Sequence, residues 1–147
     1  MNRREAQTAV ADLFGRYLMT LDTVKLDSEW ASWMFTPDVL IEFPMSRHEG
    51  IEGVADYHAQ SLAPFAATQH LSSPPVVDPD GDTTATFSAH VVSIHVHRGT
   101  PDAAPAARFS AGTIATGEAR LTSAGWRLRR LSLQVVWTEG SPRIAGS

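Results

Sequence analysis

The chain contains no cysteine. That excludes a disulfide framework, a thiolate metal centre and a cysteine nucleophile. It has no excess of positive charge either: 12 Lys and Arg stand against 16 Asp and Glu, a net charge of −4. A weakly acidic chain is poorly suited to electrostatic binding of nucleic acid, so no nucleic-acid partner is expected. No apolar run approaches the roughly 18 residues that a membrane span needs, and no membrane role is expected. The N-terminus, MNRREAQTAVADLF, begins with basic residues, but Glu5 and Asp12 stand where a signal peptide would be apolar. The expected location is therefore the reducing cytoplasm. Phosphate-loop and dinucleotide signatures are missing, as are internal repeats and linkers.

What remains is an ordinary globular composition over 147 residues, 43% of them apolar. That is one domain, long enough to bury a core. Residues 4–22 read as an amphipathic helix, with Ala6, Val10, Leu13, Phe14, Tyr17, Leu18 and Leu21 recurring at steps of three and four. Asp27-Ser28 offers an N-cap for a short second helix over about 28–35, which Thr36-Pro37-Asp38 stops. Val39–Phe43 is β-rich and predicts a strand. A third helix is expected over about 51–63, ended by Pro64. Then come a strand over 67–78 broken by Pro74-Pro75, a turn at Asp78–Asp82 and a long strand over 83–97. A loop is expected at 98–106, a hairpin of 107–122 with 125–138, and a frayed tail after Trp137. Helices segregated ahead of strands predict an α+β fold. Three helices should pack on a strongly curved, mostly antiparallel sheet, giving a cone-shaped α+β barrel with an internal pocket.

The strand over 83–97 places Ala85, Phe87, Ala89, Val91, Ser93, His95 and His97 on one face, with Thr86, Ser88, His90, Val92, Ile94 and Val96 on the other. Neither set is cleanly polar, and periodicity does not choose which one faces inward. Asp22 stands at the C-terminal end of an apolar helix, where the dipole disfavours a carboxylate. His70 interrupts an apolar strand start. Each residue has a plain reading: a solvated helix end, a partnered histidine. For His48 and His58 a surface position is expected. His95 and His97, two apart on one face, raise a metal site with His70 as a third ligand.

Asp22, His70 and His95 in this order of elements carry a family resemblance, supported by five local patterns. They are Leu21-Asp22 followed by Asp27-Ser28-Glu29-Trp30; Phe35-Thr36-Pro37-Asp38-Val39; Thr68-Gln69-His70; Gly81-Asp82-Thr83-Thr84-Ala85-Thr86; and Gly125-Trp126-Arg127-Leu128. The chain resembles the SnoaL-like branch of the nuclear transport factor 2-like superfamily, and within it the scytalone dehydratase and bile-acid 7α-dehydratase subgroup. The resemblance spans about residues 5–138 of a single domain, 1–147. It implies that Ala89, Val91, Ser93 and His95 face the pocket, and that Asp22, His70, His95 and Tyr17 are catalytic. Tyr17 stands five residues before Asp22, as a tyrosine does in the bile-acid enzymes. It accounts for His70 and His95 with no metal and no cofactor. It also implies a homodimer or homotrimer. The chain departs from the pattern at Leu21 and Phe43, where scytalone dehydratase has tyrosines that hold a water on the substrate carbonyl. Neither side chain here can donate a hydrogen bond.

A histidine beside a carboxylate has a fixed tautomer and one free ring nitrogen, the makings of a general base. Such a base suits removal of a proton α to a carbonyl, with the imidazolium or His95 then protonating a leaving hydroxyl. Tyr17 is the candidate to polarise the carbonyl. The pocket candidates are Trp33, Phe43, Phe65, Phe87, Val91, Ser93, Phe109 and Trp137. The resulting expectation is a cofactor-free dehydratase, isomerase or cyclase acting on a hydrophobic, polycyclic or polyketide-like carbonyl compound. Its rivals are a non-catalytic binding protein on the same fold and a pure assembly subunit, because fold does not fix function.

Overall fold

The computed structural model describes residues 2–99 and 107–143. α1 (Arg3–Thr23) starts from Asn2, whose side chain accepts from the Glu5 amide while Glu5 reaches back to the Asn2 amide. This reciprocal pair satisfies two of the orphan donors at the helix start. Ala6, Val10, Leu13, Phe14, Tyr17 and Leu18 form its buried stripe, which lies against the sheet. Asp27 caps α2 (Ser28–Met34) by accepting from the Trp30 amide. α3 (Val54–Leu62) starts from Gly53, whose positive φ of 77° suits a residue without a Cβ.

The strands are β1 (Phe35–Phe43), β2 (Ser46–Glu49), β3 (Phe65–Ser72), β4 (Val76–Asp80), β5 (Thr84–His97), β6 (Arg108–Thr122) and β7 (Gly125–Glu139). They form one sheet in the order β2-β1-β7-β6-β5-β3, with β4 beside β5. Among the described residues only the β1–β7 pairing is parallel. Three helices on this mixed sheet make the expected α+β cone, but the sheet is not closed into a barrel: β2 ends one side and β3 and β4 the other.

Several boundaries differ from expectation for identifiable reasons. Thr36-Pro37-Asp38 does not stop a helix before a loop; β1 already starts at Phe35. Pro37 falls in the register break between Phe35 and Leu40, where no ladder donor is needed. β2 was not expected, because Ser46-Arg47-His48-Glu49 is short, polar and on the sheet edge. Asp78-Pro79-Asp80 belongs to β4, an edge strand that tolerates proline, and the turn begins at Gly81. α3 is shorter than its predicted range. The tail expected to fray after Trp137 is strand through Glu139. Of the loop expected at 98–106, only Arg98 and Gly99 are described, and the tail residues 144–147 lie outside the described residues.

Burial resolves the face of β5. Ala85, Phe87, Ala89, Val91, Ser93 and His97 are buried and His95 is half-buried, while Thr86 and His90 are exposed. The concave side is therefore the set that contains His95. At one end of the cone this side is filled by Phe14, Phe87, Trp126 and Leu128. At the other end Leu21, Phe43, Phe65, His70, His95, Phe109 and Leu133 are all only partly covered.

Candidate active site

The half-covered end is built from a square of four side chains on two paired strands. Thr68 lies opposite His95, and His70 opposite Ser93. Directly opposed residues on one sheet face hold their Cβ atoms about 5 Å apart. Asp22 reaches this square from the last turn of α1. One carboxylate oxygen accepts from the Thr68 hydroxyl at 2.8 Å and from His70 Nδ1 at 2.7 Å; the other accepts from the His70 amide at 2.8 Å. Three donors offset the unfavourable helix-end position of the carboxylate. Both partners are largely shielded, with side-chain exposures of 9% for His70 and 13% for Asp22. Because a carboxylate cannot donate, Nδ1 of His70 carries the hydrogen. Nε2 of His70 has no partner among the described residues.

His95 completes the group at a ring distance of 6.0 Å from His70. Its Nδ1 donates to the Phe109 carbonyl at 3.1 Å, so its Nε2 is also an unspent acceptor. Phe65 and Phe109 flank the ring at 4.6 and 5.4 Å. Burial pushes the His95 pKa down, and the neighbouring His70 adds to the fall. The ring is accordingly held neutral. His97 does not join the group; its Nε2 donates to the Ser141 carbonyl at 2.6 Å.

The remaining predicted site residues fall in different places. Phe43, Phe65, Val91, Ser93 and Phe109 lie on the concave side. Phe87 is core rather than pocket, packed on Phe14 at 5.1 Å and over Gly117, where a Cβ would strike its ring. Trp33 is 61% exposed on the surface of α2. Trp137 lies on the outer face of the sheet across Gly112, where a Cβ would come within 2.1 Å of its Nε1. The strand slips at a bulge between Gly112 and Thr113, which turns Trp137 away from the concave side.

Tyr17 does not present its hydroxyl to Asp22 and His70. It is 3% exposed and bonded at 2.9 Å to Nε2 of His58. His58 was expected at the surface; it is enclosed by Tyr17, Trp30, Phe35, Phe43 and Tyr57. Its Nδ1 donates to the Val54 carbonyl, so the Tyr17 hydroxyl must donate to Nε2. Burial pushes the His58 pKa down to about 4 and the Tyr17 pKa up. Helical spacing carried the missed signal: Val54, Ala55 and His58 recur at three and four, one buried stripe. Thr68 and the full set of donors to Asp22 were likewise not foreseen as site members.

Two cavities lie away from this group. One of about 580 Å³ runs between the α1–α2 and β2–α3 connections and includes Leu26, Ala31, Ile51 and Ala55. The other, about 210 Å³, lies between the start of α1 and the β4–β5 turn.

Known proteins bear on this arrangement. The description of the SnoaL-like domain matches residues 2–132. No curated protein matches the chain in sequence. Among solved structures, the Kfla4162 protein of Kribbella flavida is similar over 94% of this chain and 95% of its own, at 25% identity and a TM-score of 0.82. A Novosphingobium aromaticivorans protein provisionally named a scytalone dehydratase reaches a TM-score of 0.78 at 17% identity, covering 92% and 87%. A type 2 hexachlorocyclohexane dehydrochlorinase (LinA) also reaches 0.78 at 17%, covering 99% and 93%. The last two likenesses speak to fold alone.

Proposed function

This chain belongs to the SnoaL-like domain family, and from that premise we propose that it is a cofactor-free acid/base enzyme. The reaction is a dehydration, isomerisation or cyclisation of a hydrophobic, polycyclic or polyketide-like carbonyl compound. One observation carries the reading: the 2.7 Å contact between Asp22 Oδ1 and His70 Nδ1, which leaves Nε2 bare on the half-open side of the cone. Likeness in fold to proteins named as a dehydratase and a dehydrochlorinase supports elimination chemistry.

In this reading His70 Nε2 takes the proton α to the carbonyl, and the C–H electron pair moves into an enolate. The enolate then expels a β-hydroxyl, and the His70 imidazolium returns its proton to that oxygen, releasing water. Asp22 stays ionised, holding the ring and its charge without taking the proton. His95 has spent its only N–H on the Phe109 carbonyl, so its Nε2 accepts from a substrate hydroxyl instead of acting as the acid. Phe43, Phe65 and Phe109 supply the apolar walls. Leu21 and Phe43, both without a donor, support the second reading, a binding protein on the same fold.

Nitrogen-detected NMR of the histidine rings separates the two without a substrate. The enzyme reading expects His70 as the Nδ1–H tautomer, assigned by its loss in His70→Ala, with a deshielded ring proton that disappears in Asp22→Asn. A ring indifferent to Asp22→Asn would leave the binding reading. A homodimer or homotrimer through the outer sheet face, where Val92, Ile94 and Val96 are half-buried, is part of the proposal. Sedimentation of the purified chain as a monomer would remove it.

A further inference from the structure

An enolate needs a donor for its oxygen, and in this chain the obvious donors are spent or missing. Leu21 and Phe43 have none. The Tyr17 hydroxyl donates to His58, Thr68 to Asp22 and Thr113 to the Val91 carbonyl. Tyr57 is paired with Ser46. The backbone donor nearest the base, the His70 amide, is taken by Asp22.

Ser93 differs. It lies on the concave face of β5, directly opposite His70 and two residues from His95. It is 8% exposed, yet its hydroxyl has no hydrogen-bond partner among the described residues. Thr36 is also buried, but its hydroxyl is sealed from any approach and lies beside the Asp38 carboxylate. Across the sheet from Ser93 on β6 stands Ala111, so the neighbouring side chain leaves room beside the hydroxyl. A buried hydroxyl is normally paired, and one left unpaired beside a base is positioned for a ligand.

Resting on the enolate reading above, we propose that Ser93 is a further catalytic residue, the donor that polarises the substrate carbonyl. Its hydroxyl hydrogen bonds to the carbonyl oxygen as His70 Nε2 removes the neighbouring proton, and the bond strengthens as that oxygen becomes negative. No atom is transferred through Ser93; it keeps its proton throughout. The assignment fixes the substrate's orientation: the carbonyl oxygen lies toward β5 at Ser93, the acidic C–H toward β3 at His70, and a hydroxyl toward His95.

The test uses 4-nitrophenol, whose ionised form is coloured and mimics an enolate oxygen on an apolar ring, with 4-nitroanisole as the uncharged control. Titration of each into wild type and Ser93→Ala is read by absorption. The wild type is expected to bind both and to lower the apparent pKa of the bound phenol. Ser93→Ala should weaken 4-nitrophenolate about tenfold, the weight of one hydrogen bond to a charged group, and shift the bound phenol's pKa back by about one unit. Binding of 4-nitroanisole should stay within about twofold. Equal losses for both probes, or no loss for either, would overturn the role of Ser93 while leaving the His70 base in place. Failure of both probes to bind wild type would overturn the apolar-pocket reading itself. Because Ser93→Ala removes only an unpaired hydroxyl, the variant is expected to fold.

Discussion

Two histidines are held by residues of α1 less than two helical turns apart, and they are treated in opposite ways. His58 meets Tyr17; His70 meets Asp22. In both, Nδ1 donates to a fixed oxygen, so both rings have a single neutral tautomer. The difference lies at Nε2. That of His58 is closed by a hydroxyl inside five aromatic rings, whereas that of His70 has no partner among the described residues at the half-open end of the cone. A buried polar pair with every valence satisfied contributes to a unique core. A pair with one acceptor left over and partial access has capacity for a reaction. Burial alone would have ranked His58 first, and it is the residue least able to touch a ligand.

The largest test of the contrast is removal of each ring in turn. His58→Ala opens a cavity among five rings and leaves the Tyr17 hydroxyl buried without an acceptor. The expected cost is about 3–5 kcal/mol. His70→Ala takes away a ring that no aromatic cage encloses, and Asp22 keeps the Thr68 hydroxyl and the His70-position amide as donors. Its cost should stay under about 2 kcal/mol. Urea denaturation of the two variants measures both. Equal costs would mean that the two clusters are both structural.

Acid sharpens the contrast next. The folded His58 pKa, about 4, lies below its ordinary value of 6.5. The unfolded chain therefore binds a proton that the folded one refuses between those values. Stability from His58 is complete above pH 6.5 and is lost as pH falls toward 4, by about 3 kcal/mol at most. Tyr17 and Tyr57 on α1 and α3 and His48 on β2 are the titratable groups around the ring, and none brings a carboxylate to steady the charged form. His95, also shifted down, adds loss of the same sign. Denaturation midpoints from pH 7 to 4 should fall steeply in wild type and less steeply in His58→Gln. Parallel slopes would show that His58 is not the group responsible.

This contrast also marks how far sequence reading reaches. The stripe of α1 and the turn after Thr122 were legible because each obeys a local rule, a 3.6-residue period and a glycine at φ 118°. The strand phase of β5 was not, since both faces carry apolar residues; only the family resemblance separated His95 from Ile94, and burial agrees with it. β2 escaped because four polar residues on an edge have no hydrophobic signature. The meeting of Asp22 with His70 was legible only as a family pattern, since no period links positions 48 apart. Trp137 was misplaced by a bulge, and Tyr17 by a partner, His58, that helical spacing had put inside. Aromatic identity did not distinguish a pocket wall from core: Phe65 and Phe87 look alike in sequence, and only one lies beside a histidine.

The smallest effect concerns Thr68, which fastens Asp22 from the strand that carries His70. Thr68→Val keeps the shape and β-propensity of the side chain and removes one of three donors to the carboxylate. The two donors from His70 remain, so the dyad should persist, with stability lower by about 1 kcal/mol. The consequence is directional: Asp22 Oδ1 serves both Thr68 and His70 Nδ1, so losing the hydroxyl leaves that oxygen more negative toward the ring. The ring proton of His70 should move further downfield in Thr68→Val, while that of His58, in the sealed cluster, stays where it was. An upfield move would mean that Thr68 holds Asp22 in place and that the carboxylate turns away without it. In that case the open cluster depends on its support as strongly as the closed one depends on its packing.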